Sequence, residues 1–136
     1  MPERKTLERA RKAKRQGKSP STQAGEFVRE EIEHIREGKH GARSTKQAIA
    51  IALSKARRAG VKLAVPRKGS VSAATRRRAI KDSREGQHPT SHTPSPKRSR
   101  AALRKLKGEP TDVVSHEALS KHASAARSRR KGTRSR

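Results

Sequence analysis

Only 18 of the 136 residues are Leu, Ile, Val or Phe, and Trp, Tyr and Cys are absent. A chain this poor in large apolar side chains cannot bury enough surface to offset the entropy of ordering its whole length. Alanines lift the apolar share to 28%, yet the inventory still supports only a small helical knot with tails, although the length alone would allow a domain of ordinary size.

Charge sharpens that limit. Lys and Arg number 37 against 12 Asp and Glu, a formal +25. Residues 1–18 carry eight basic and two acidic side chains, 19–37 two and five, 38–66 seven and none, 67–96 seven and two, and 97–136 thirteen and three. The single acidic segment also holds the only aromatic residue, Phe27. Without Cys there are no disulfides, thiolate metal sites or cysteine nucleophiles. Without aromatic platforms, the stacking used by single-strand and RNA-recognition modules is nearly missing. No apolar run approaches the ~20 residues of a membrane span, and residues 1–18 lack the apolar stretch of a signal peptide. The expected compartment is the cytoplasm, in association with the nucleoid.

Local patterns divide the chain into a basic arm or helix over 1–18, a helical hairpin core over 19–66, a basic helix over 67–86 and a disordered basic tail over 87–136. The arm has helix formers between Glu3 and Gly17 but Leu7 as its only large apolar residue, which predicts a fraying helix without a docking face. Ser21 or Thr22 can cap a second helix that runs to Glu37, with Val28, Ile32 and Ile35 on its core stripe. Glu26, Glu30, Glu33 and Glu37 repeat on its other side and read as a solvated face that pairs with the basic helix 2–16 or with Arg57 and Arg58. Ser44 with Gln47 forms a capping box for a third helix, whose stripe is Ile49, Ala52, Leu53 and Ala56 and whose left-handed cap is Gly60. Ile51 lies off that stripe and suggests either a second packing partner or a self-association contact. Val61, Leu63 and Val65 read as an extended strap. A thin helix from Ser70 should stop at Gly86, and the tail holds two short amphipathic stretches, 101–107 and 115–126. The fold class expected is mainly α: a small hairpin core with extended, largely disordered basic N- and C-terminal arms.

The cationic excess is the dominant chemical signal. Each Lys or Arg that meets a duplex phosphate releases a condensed counterion, so a flexible chain with this many cations gains affinity without a shaped pocket. The residues singled out for phosphate contact are Lys46, Lys55, Arg57, Arg58, Arg76, Arg77 and Arg78, with Lys97, Arg98, Arg127, Arg129, Arg130 and Lys131 adding affinity from the tail. Ser95-Pro96-Lys97-Arg98 resembles the Ser-Pro-basic-basic turns of linker-histone tails, although a plain linker with basic flanks accounts for the same four residues. A helix-turn-helix is disfavoured, because the joint from Gly38 to Ser44 is longer than the three or four residues that motif uses. His88 and His92 have helical spacing, but Pro89 and Pro94 oppose the helix. No metal site, cofactor site, nucleophile elbow or phosphate loop can be assembled, and no enzyme is expected.

The phrases from Ser19 to Glu31, Arg36 to Arg43 and Lys46 to Gly60 are similar to a family of small, very basic bacterial proteins built on a domain of unknown function, often labelled DNA-binding or plasmid-stabilisation proteins. The likeness extends over roughly 2–86 and is dense over 19–65. It implies a bacterial source and nucleic-acid binding, and it supplies no functional residues. The expected function is non-enzymatic coating or compaction of duplex DNA with little sequence preference. The alternatives are an RNA- or ribosome-associated protein and a protein-interaction module of a plasmid maintenance system, dimerising through the hairpin.

Overall fold

The computed structural model describes residues 2–88 and 95–134, with side chains through 129. Among these the chain is mainly helical: α1 (Arg4–Arg15), α2 (Pro20–Arg36), α3 (Thr45–Arg58), α4 (Ala73–Gln87), α5 (Pro96–Lys107), a 3-10 turn (Asp112–Val114) and α6 (His116–Arg134). No strand forms among the described residues, and the strap after α3 contributes only an isolated bridge between Lys68 and Val71. The chain divides into two compact units, one of residues 1–31 and 50–93, the other of residues 32–49 and 94–136, so that α2 and α3 each contribute to both.

In the first unit, α1 is docked rather than fraying. Its buried stripe is Thr6, Ala10 and Ala13, residues too small to register in a search for large apolar side chains. Glu30 of α2 supplies what the N-terminus of α1 lacks, a carboxylate that accepts from the Glu3 amide and from the Thr6 hydroxyl, the latter at 3.1 Å. Free N–H groups at a helix start favour a negative acceptor there. α2 begins earlier than the sequence suggests. Pro20 tolerates the first helical position because it has no amide to satisfy, and the Ser19 hydroxyl accepts from the Thr22 amide at 3.3 Å. Ala10, Ala24, Phe27, Ala52, Ala56 and Val61 make the buried core, with Leu7, Val28, Leu53 and Leu63 around it. Four of the six buried members are alanine, so backbones approach closely over little apolar volume.

α3 ends as its sequence predicts. Gly60 takes φ +101° and the Val61 amide returns to the Ala56 carbonyl at 3.0 Å. α4 starts at Ser72, whose hydroxyl accepts from the Thr75 amide at 3.1 Å, and it does not stop at Gly86. The reason for that glycine is proximity: a Cβ there would stand 1.8 Å from the Arg57 carbonyl oxygen.

The second unit has its own small core of Ile35, Ala42, Ala48 and Val114, flanked by Ile32 and Val113. Ser44 caps the start of α3 by accepting from the Gln47 amide at 3.1 Å, while the Gln47 side chain accepts from the Arg43 amide. Within the stretch read from sequence as a disordered tail, the described residues 96–134 include α5, the 3-10 turn and α6, and Val114 between the two helices is fully buried. Its position is held from both sides of the 3-10 turn: Arg36 Nε donates to the Val114 carbonyl at 3.1 Å and Thr45 Oγ1 donates to the Val113 carbonyl. Gly41 lets the segment after α5 approach, since a Cβ there would lie 2.0 Å from the Glu109 oxygen. Its amide donates to the Leu106 carbonyl at 2.8 Å, and the next amide, Ala42, donates to Pro110 at 2.9 Å. Ser95-Pro96 opens α5 as N-cap and first helical residue, in place of the free turn expected.

Candidate nucleic-acid interface

In the first unit most acidic side chains turn inward while most basic ones face out. That unit contains 20 Lys and Arg against 7 Asp and Glu. Glu30 is 2% exposed, Glu31 1% and Asp82 7%, and each has a structural task. Glu30 caps α1 as described. Glu31 forms an ion pair with Lys55 at 2.8 Å, its side chain 1% exposed and that of Lys55 19%. Asp82 accepts from the Ser54 hydroxyl and stands 3.9 Å from Arg58 Nε. Glu3 and Glu26 are half-buried, leaving Glu8 and Glu85 in the open, and Glu8 is itself 3.3 Å from Arg4. The solvated acidic face expected on α2 is therefore not found at Glu30, and Glu26 is half-covered.

The cations singled out from sequence divide accordingly. Arg57 is buried, donating from Nη2 to the Ala64 carbonyl at 3.0 Å. Burial holds its guanidinium below the usual value, with the Asp82 charge pulling it partly back. Together with the paired Lys55, it serves the interior and is withdrawn from any phosphate surface. Arg76 is half-buried and donates to the Pro66 carbonyl at 3.2 Å. Arg58, Arg77 and Arg78 are exposed. Lys81 and Arg84, which sequence reasoning misses, continue the row of Arg77 at i+4 and i+7 on the exposed side of α4. It misses α1 as well, where Arg4, Arg11 and Arg15 lie opposite the buried stripe and are exposed. Beyond α3, Lys62, Arg67 and Lys68 are exposed, the last two on a turn completed by Gly69 at φ +92°.

In the second unit Lys46, Lys97, Arg98, Arg127 and Arg129 are exposed, as are Arg100, Arg104, Lys105 and Lys107 of α5. Arg130 and Lys131 lie outside the described side chains, and His92 lies outside the described residues. Ile51 is half-buried in the first unit. His34 and His40 meet edge to face in the second, ring centroids 6.3 Å apart, and His40 Nδ1 is 2.9 Å from the Gly41 carbonyl.

A carboxylate buried at Glu31 was legible in principle. Ala24, Phe27, Glu31 and Ile35 form one i, i+3, i+7, i+11 stripe of α2, so the acid sits between the most deeply buried apolar residues of that helix.

No described helix is long and apolar enough to cross a membrane. No curated protein and no solved structure matches the chain. Residues 11–69, which run from α1 through α2 and α3 to the turn at Gly69, are similar to a family of unknown function, DUF6496.

Proposed function

We propose that this protein binds duplex DNA through its phosphates, with little sequence preference, and coats or compacts it in the manner of a nucleoid-associated protein. One observation supports the reading above the others: the first unit places Glu30, Glu31 and Asp82 in its interior and keeps the cations of α1, and those of α4 apart from Arg76, in solvent. A surface that mixes both signs attracts a polyanion weakly. Internal acids leave the field outside almost purely positive. No base-reading array of Asn, Gln and Arg follows on one face of α3, so affinity comes from counterion release rather than from base edges.

The test is a mobility shift of the full chain on random-sequence duplex across a salt series, with structured RNA as competitor. Affinity should fall by roughly 10³ between about 50 and 200 mM salt if six or more phosphates are neutralised. A salt-independent affinity, or no shift near physiological ionic strength, would refute it.

A further inference from the structure

Of the twelve side chains of α5, eleven are exposed and only Leu106 is half-buried, so this helix covers almost nothing. Its tether is at one end. The Gly41 amide holds the Leu106 carbonyl at 2.8 Å and Ala42 holds Pro110 just beyond, while residues 96–105 stand clear of the core they adjoin. Propensity alone does not make so short a helix stable in water, and one kept free on nearly its whole circumference needs a partner that surrounds it.

The distribution of side chains around α5 describes that partner. At 100° per residue, Ser99, Ala102, Leu103 and Leu106 fall on one narrow stripe, and Leu103 is 43% exposed. Arg100 and Lys107 flank the stripe on one side, Arg98 and Lys105 on the other, and Lys97 and Arg104 lie behind; no acid occurs in the helix. A narrow edge of small and apolar groups between two cationic flanks matches the major groove of B-form DNA. That groove is about 12 Å wide, admits one helix, offers thymine methyl groups on its floor and is walled by phosphates on both sides. The geometry points to α5 as the helix that enters the major groove, Ala102 and Leu103 against the floor and the flanking cations on the two backbones.

A lipid surface fits less well, because an interfacial helix needs a broad apolar face and α5 offers Leu103 as its one exposed large apolar side chain. Double-stranded RNA fits less well too, since its major groove is too narrow and deep for side chains to read. The inference rests on the phosphate-binding reading above and adds to it a groove, an orientation and a preference for DNA over RNA duplexes.

Dimethyl sulfate footprinting of the full chain at saturation on a mixed-sequence duplex tests it, because guanine N7 lies in the major groove and adenine N3 in the minor. Methylation at N7 should fall about fivefold with N3 unchanged. The Ala102→Phe variant keeps every charge and disturbs no buried contact. It should bind duplex DNA about tenfold more weakly with an unaltered salt slope, a change that a helix merely lying on phosphates would not feel. Binding of duplex with N7 fully reactive, an A102F protein of undiminished affinity, equal affinity for RNA duplex, or preference for phosphatidylglycerol vesicles would each overturn the assignment while leaving phosphate binding to stand on its own salt dependence. A chain that binds no duplex at all overturns both.

Discussion

Two glycines inside helices make opposite predictions for the same substitution. Gly25 in α2 has nothing within 4 Å of the position its Cβ would take, whereas at Gly86 in α4 that Cβ would fall 1.8 Å from the Arg57 carbonyl oxygen, 2.9 Å from its carbon and 3.0 Å from the Gly60 nitrogen. Helix propensity alone favours Ala over Gly by about 1 kcal/mol at both. At Gly25 nothing opposes it, so Gly25→Ala should stabilise by about 0.5–1 kcal/mol. At Gly86 the obstacle is backbone, and the nearest atom is some 1.6 Å inside the 3.4 Å of ordinary contact. The two helices must separate, which breaks the hydrogen bond from Ser54 to Asp82 and the one from Gln87 Nε2 to the Gly60 carbonyl at 3.1 Å. Overpacking costs about 1–3 kcal/mol and each broken hydrogen bond about 1 kcal/mol, so after the propensity gain Gly86→Ala should destabilise by about 2–4 kcal/mol. Thermal melts followed by far-ultraviolet circular dichroism read the difference as a Tm lowered by about 10 °C or more for G86A and raised by a few degrees for G25A. A G86A protein that melts at or above the wild-type temperature would refute the close approach of α3 and α4 and return Gly86 to the role of a poor helix residue.

Lys55→Met takes the ammonium at 2.8 Å from the buried Glu31 carboxylate and should cost about 3 kcal/mol in urea denaturation, most of it recovered in the Glu31→Gln/Lys55→Met pair; a lone K55M change below ~0.5 kcal/mol would show the ion pair to be incidental. Val114→Ala removes two methyl groups from the second core and should cost about 2–3 kcal/mol, with faster tryptic cleavage in α5 and α6 than in the wild type; equal cleavage rates would show that Val114 does not anchor those helices.

The sequence was most informative where geometry depends on one residue type. Ser44 with Gln47 marks the start of α3 and Gly60 with Val61 marks its end, because a side-chain acceptor and a left-handed backbone are requirements few residues meet. It was least informative where the interior is built from small or charged groups. Thr6, Ala10 and Ala13 dock α1 without a large apolar side chain among them, and Ala42 and Ala48 do the same in the second unit. Helices that touch through alanine bury little area per contact, and a reading that counts Leu, Ile, Val and Phe assigns them to solvent. The helices beyond residue 95 were hard to read for a related reason. Their composition is that of a disordered segment, yet Val113 and Val114 suffice to fix a turn because Arg36 and Thr45 take their two carbonyls. Among the candidate cations, exposure could not be read from type. Lys55 and Arg57 lie on different sides of α3, about 200° apart, and each is covered by its own partner, Glu31 of α2 for Lys55 and the Ala64 carbonyl for Arg57, while Arg58 beside Arg57 is in solvent.

A chain at +25 must suppress self-repulsion before it can hold any fold. Surface ion pairs are a weak means, each worth about 0–1 kcal/mol and screened by salt, and Arg4 with Glu8 or Lys39 with Glu37 are of that kind. Interior acids act differently. A carboxylate inside the protein is screened less, so Glu31 beside Lys55 and Asp82 beside Arg57 and Arg58 lower the potential where cations crowd most closely, at the end of α3. The same placement removes negative charge from the surface a polyanion approaches. The acids of the first unit therefore suit folding and polyanion approach alike: inside, they oppose the crowding of cations and present no negative patch at the surface, while the net charge stays strongly positive.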